Sequence, residues 1–215
     1  YLRMRTGKHE IVKDLCRQIL VIKPDSIRAR FYLGIAEIEL GNLESAESIL
    51  MELIQQEPGF PDSYPQLARI QELREDLLGA ESVFDMGIQR VPGWAVGHWG
   101  RGKIRRKHGD NTGAEADFRY AIALNPESPF PRDSLARQLA DEERDLDEAL
   151  KLAKSAVATG SRPEHRATLA LVYHLLGKTG KARDEIERAY QHVPDHPNVI
   201  SLRARILNFP PDGNP

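Results

Sequence analysis

The chain has little that could cross-link, ligate or span. A single cysteine, Cys16, among 215 residues leaves no partner for an internal disulfide, so burial has to hold the fold. No apolar run is long enough to cross a bilayer. No secretory signal opens the chain, whose first residue is Tyr1, and the chain is expected to be an excised piece of a longer protein. A net charge of -2 gives no global attraction to nucleic acid or an anionic membrane. Catalytic equipment is also missing. Gly177-Lys178-Thr179-Gly180-Lys181 lacks the upstream glycine and strand of a phosphate-cradling loop. His192 and His196 are separated by Pro194, which prevents the shared helical face a histidine pair needs to ligate a metal. His98, His108, His165 and His174 are scattered, and none is placed with a nucleophile. No cofactor, no metal and no enzymatic activity are expected.

What the chain does have is a repeat. In Ile27 to Phe60, apolar residues recur at helical spacing, first at Phe31, Leu33, Ile35 and Ile38, then at Ala46, Ile49, Leu50 and Leu53. Leu40-Gly41-Asn42-Leu43 stops one helix and starts the next, and Pro58 closes the segment, predicting a helical hairpin. Pro24, Pro58, Pro92 and Pro126 recur at an interval of 34, Pro194 falls two intervals later, and Gly160 occupies the vacant slot. Gly34, Ala68, Gly102, Ala136, Ala170 and Ala204 form a small-residue column in the same phase. Ala46, Ala80, Ala114 and Ala182 form a second, with Ala149 one residue late. Beside them runs a large apolar column of Cys16, Leu50, Phe84, Phe118, Leu152 and Ile186. Small residues let helices approach closely and the large one fills the adjacent gap. Cys16 is therefore expected to be a buried core thiol.

A 34-residue helix-turn-helix period with small residues at the crossings and a closing proline resembles the tetratricopeptide repeat family over nearly the whole chain. The resemblance implies an all-α, right-handed superhelical solenoid of antiparallel helix pairs. Residues 1–26 are expected to supply a partial repeat, with Gly7 as a turn before the second helix. Five repeats follow at 27–60, 61–94, 95–128, 129–162 and 163–196, then a capping helix at 197–208 and a Pro-rich tail at 209–215. Two repeats depart from the template. In 95–128 Gly100 and Gly102 weaken the first helix, and Arg101 stands where other repeats have Leu33, Leu67, Leu135 or Leu169. In 129–162 an extra residue in the turn, within Glu142 to Asp147, predicts looser packing.

The resemblance also implies that the first helix of each repeat lines a concave groove. The residues it would place there include Arg28, Phe31, Tyr32, Arg69, Trp99, Lys103, Arg106, Lys107 and Arg137, with Glu39 and Glu72 among them. The basic run Lys103 to His108 would then join Arg69 and Arg137 in a surface suited to an acidic or carboxylate-bearing segment of a protein partner. Tyr32 and Ile35 stand where the family's two-carboxylate clamp for chaperone C-termini uses asparagines, which speaks against that partner. The expected function is a non-catalytic protein–protein interaction scaffold, with self-association through the solenoid ends as an added expectation. Rival readings are the targeting or regulatory arm of a larger transferase or hydroxylase, and a component of a bacterial envelope export or polysaccharide-secretion machine. The compartment stays open: a cytoplasmic location fits the chain, and a periplasmic one would require a signal before residue 1.

Overall fold

A computed structural model describes residues 2–207 of the chain, with side chains from residue 7 onward. The expected Pro-rich tail at 209–215 and the last residue of the expected cap, Asn208, lie outside the described residues. Twelve α-helices and no strands occur within them. The chain divides at Asp110 and Asn111 into two compact units.

The first unit holds α1 (Leu2–Ile22), α2 (Ile27–Glu39), α3 (Leu43–Gln56), α4 (Ser63–Leu73), α5 (Leu77–Arg90) and α6 (Ala95–Lys107). The second holds α7 (Asn111–Leu124), α8 (Pro129–Asp141), α9 (Leu146–Thr159), α10 (Pro163–Leu175), α11 (Thr179–His192) and α12 (Pro197–Leu207). The fold class is thus all-α helical repeat. Gly7 does not make the expected turn, because α1 runs through it unbroken. One glycine costs a helix only about 1 kcal/mol, which a helix of this length absorbs.

The spacing columns are packing columns. Ala46, Ala80, Ala114, Ala149 and Ala182 are fully buried, as are Leu50, Phe118 and Ile186, and Cys16 is buried as expected. Burial pushes the Cys16 thiol above its ordinary value. A Cβ on Gly34 would lie 2.9 Å from the Leu50 side chain, so the small residue sets how closely α2 and α3 approach. Leu152 departs from its column and is only half-buried, while Ala153 takes the core position. The extra turn residue accounts for this by advancing α9 one position and so rotating Leu152 out of phase. The looser packing expected here is not observed, since Leu135, Leu139, Ala149, Ala153 and Ala156 are all fully buried. Three alanines along α9 let α8 and α9 close on each other, and the turn absorbs the insertion with left-handed Glu143 and Asp145. Gly160 caps α9, and a Cβ there would lie 2.8 Å from Pro129, which excludes a larger residue at that slot.

One position in the inter-helix turn is left-handed in every repeat: Gly41, Glu75, Gly109, Glu143 and Gly177 all have positive φ, at 34-residue intervals. Glycine adopts this conformation freely, whereas a residue with a Cβ is strained by roughly 1–2 kcal/mol. Glu75→Gly is therefore expected to stabilise the first unit by about 0.5–1 kcal/mol after the added unfolded-state entropy is deducted. A rise in urea midpoint at unchanged slope would report it, and a fall would refute the strain.

Beside these turns, carboxylates at a second fixed position link successive repeats. Glu47 accepts hydrogen bonds from Gln71 and Arg74, each at 2.7 Å. Glu81 meets Arg105 at 2.7 Å and His108 at 2.8 Å, and Glu115 accepts from Arg119 at 2.8 Å and from Arg144. Burial raises the Glu81 and Glu115 carboxyls, but the hydrogen bonds and charges of these partners outweigh it and hold both below their ordinary value of 4.5. The contribution of a carboxyl lowered in the folded state is complete above pH 4.5 and disappears as pH falls through the folded value. Urea midpoints should thus hold between pH 7 and 5 and decline below 4.5. The Glu81→Gln, Glu115→Gln double variant should show a shallower decline, and an identical one would remove these groups from the account.

Candidate functional site

In the first unit, the sequence of α6 is organised around two aromatic rings. Trp94 precedes α6 and is buried, its ring 5.7 Å from that of Tyr64 and 6.2 Å from that of Phe84. Added Cβ atoms would meet the Trp94 ring at 2.6 Å from Gly87 and 2.0 Å from Gly97, and the Phe84 ring at 2.4 Å from Gly100. Gly97 and Gly100, which weaken α6 as an isolated helix, are therefore what lets it lie on these rings. They do not break it, and Ala95–Lys107 is helical throughout.

The outer face of α6 borders a pocket of about 200 Å³. Pro65, Arg69 and Glu72 of α4 form one wall, Val96, Trp99 and Lys103 of α6 the other, and Phe84 and Ile104 lie at its apolar base. Trp99 is half-buried, with the Lys103 Nζ 4.9 Å from its ring centroid, inside the range of a cation–π contact. Although much of Lys103 is accessible, its ammonium is held below the usual lysine value. Burial of the charged end is the main cause, opposed by Glu72 and reinforced by Lys107 and Arg106.

Three of the residues named from the sequence, Arg69, Trp99 and Lys103, thus line one pocket, with Arg106 and Lys107 on the same helix. Their charges are not equally available. Arg69 donates to Glu39 at 2.7 Å, and Lys107 pairs with Glu72. Arg101, the residue in place of a leucine, donates to Asp85 at 2.6 Å and has only 17% of its side chain accessible. On α2, Arg28 and Tyr32 are exposed, while Phe31 packs edge-on against Phe60 at 5.2 Å; none of the three lines the pocket. Arg137 belongs to the second unit, where its Nε donates to both carboxylate oxygens of Asp141 at 2.9 and 3.1 Å. Sequence reading missed Pro65 and Val96. The signal for Val96 was an apolar residue outside the core phase of its helix, and it is 50% exposed. Among the described residues no group of three or more side chains could hold a metal ion.

Residues 28–59, one hairpin of this series, match the family model described as tetratricopeptide repeat. That hairpin is a tetratricopeptide repeat, and the helices around it share the fold of tetratricopeptide repeat structures. Solved structures share the fold at low identity. A chain of the APC/C hetero-tetramer Cut9-Hcn1 superposes with a TM-score of 0.78 at 14% identity over 95% of this chain, which spans 40% of that one. TTC0263, a thermophilic TPR protein in Thermus thermophilus, gives 0.65 at 21% identity over 85% of this chain and 98% of its own. YrrB, a TPR protein with an unusual peptide-binding site, gives 0.58 at 16% identity over 86% of this chain and 96% of its own. No curated protein sequence matches the chain. Tetratricopeptide repeat proteins serve in general as non-catalytic scaffolds for protein–protein interaction. No helix among the described residues is long and apolar enough to cross a membrane.

Proposed function

We propose that this tetratricopeptide repeat chain is a non-catalytic scaffold that holds a carboxylate-bearing segment of a partner protein, and that the α4–α6 pocket is its capture point in the first unit. The observation that carries this reading is Lys103 above Trp99 in a pocket with an apolar base. An ammonium already removed from part of its water gains more from a carboxylate than a fully solvated one does, and burial has depressed its pKa for the same reason. Val96 and the Trp99 face offer the neighbouring side chain of the ligand an apolar anchor at little entropic cost. The ion pairs of Arg69 with Glu39 and of Lys107 with Glu72 fix the rim, so they select the ligand's register and add little attraction. The peptide-binding site named for YrrB, a structure of the same fold, is in keeping with this use of the repeat.

Peptides selected on the chain from a library rich in aspartate and glutamate test the reading. Affinity of a selected peptide should fall about tenfold or more with Lys103→Glu and with Trp99→Ala. It should also weaken as pH rises toward the lowered Lys103 value. Affinity unchanged in both variants would move the capture point away from this pocket.

A further inference from the structure

The 34-residue phase ties the α4–α6 pocket to a second one. Three intervals beyond Val96, Trp99, Gly100 and Lys103 stand Asn198, Ser201, Leu202 and Arg205, and two intervals beyond Arg69 stands Arg137. All five of these later residues line a pocket of about 140 Å³ in the second unit, together with Asp141 and Leu171. Equivalent positions in different repeats therefore build both pockets, but the side chains have changed kind. An aliphatic residue has become asparagine, the tryptophan serine, and the lysine arginine. Helix α12, expected from the sequence only to cap the last repeat, buries Val199, Leu202 and Ile206 and at the same time contributes four of the seven lining residues.

Arg137 spends its Nε on Asp141, which leaves the two terminal nitrogens of the guanidinium outside that pair. Arg205 is exposed and makes no ion pair among the described residues. Two guanidinium groups against one carboxylate leave the pocket with one positive charge in excess, and the Asn198 amide and Ser201 hydroxyl add neutral donors. The volume is about ten times the ~10–15 Å³ that one water requires, enough for a carboxylate with its methylene stem.

We infer that the α8–α10–α12 pocket is a second binding site, which takes an acidic side chain of a protein segment between Arg137 and Arg205. Guanidinium groups donate to carboxylates in the bidentate mode, and Asn198 and Ser201 replace the apolar anchor of the first pocket with hydrogen bonding. The site shares with the proposed function only the class of partner. Its test uses neither Trp99 nor Lys103.

The test is a titration of the 15N-labelled full chain with N-acetylated triglutamate, following the side-chain Nε–Hε signals of Arg137 and Arg205. Both signals are expected to shift saturably, with an affinity about tenfold weaker in Arg205→Gln and retained in Trp99→Ala. Since Arg205 is exposed, its replacement should leave the backbone spectrum folded, and Arg205→Lys should retain part of the binding. Unshifted signals, an affinity indifferent to Arg205→Gln, or shifts with inorganic phosphate but none with triglutamate would each overturn the assignment. If only the first pocket fails its own test, this one still stands, because each is read through its own variants.

Discussion

Trp94→Ala is expected to destabilise the first unit by about 3–5 kcal/mol, the cost of emptying a large aromatic site that its surroundings cannot fill. Trp94 is 9% exposed and lies against the rings of Tyr64 and Phe84. The residues nearest it on two sides are Gly87 and Gly97, which have no side chains that could move into the void. A cavity beside glycines stays open unless the backbone shifts, so the loss should sit at the upper end for an aromatic deletion. Urea unfolding followed by circular dichroism would measure it, and a loss below about 1 kcal/mol would mean that α6 can collapse onto Phe84 without the indole. Trp99→Ala provides the contrast. That ring is half-buried at a pocket rim, so it should cost far less stability while removing the proposed ligand contact.

Glu37→Ala should cost about 2–4 kcal/mol, because Glu37 is a buried acid holding cations from the neighbouring helix. It is 1% exposed, lies 3.3 Å from the Lys13 Nζ and 3.3 Å from an Arg17 nitrogen, and accepts from Asn42 Nδ2 at 2.6 Å. Arg17 is 57% accessible and can return to water, but Lys13 is only 14% accessible and would be left buried without its closest partner. Replacing both members of the pair with apolar residues removes that penalty. The double variant Lys13→Met, Glu37→Leu is thus expected to recover most of the stability lost in Glu37→Ala. If the double variant proves as unstable as the single one, the loss lies in packing and not in an orphaned charge.

The Lys13–Glu37 pair is also the inter-repeat link of the later repeats with its sign reversed. Lys13 occupies the register position of Glu47, Glu81 and Glu115, and Glu37 that of Gln71 and Arg105. A pattern search that scores each column for one residue type cannot find such a pair, because what recurs is the contact and not the charge. The left-handed turn position escaped for a related reason. Gly41, Gly109 and Gly177 announce it, but Glu75 and Glu143 conceal it, and only the backbone angles reveal that all five share one conformation.

The sequence by itself determined the repeat length, the helix-turn-helix unit, the small and large columns and the burial of Cys16. These are legible because helical burial imposes a period that composition must follow, and each repeat prints it again. Arg69, Trp99 and Lys103 were placed together by the groove that the resemblance to tetratricopeptide repeats implies. Tertiary structure alone decided which charges remain available, since Arg69, Lys107 and Arg137 each meet a carboxylate whose reach depends on side-chain conformation. It also decided that Trp94 and not Trp99 is the core ring, and that Gly87 of α5 and Gly97 of α6 make room for it. Two tryptophans five residues apart on or beside one helix look alike in a linear pattern. What separates them is the shape of the neighbouring surface, built by residues distant in sequence.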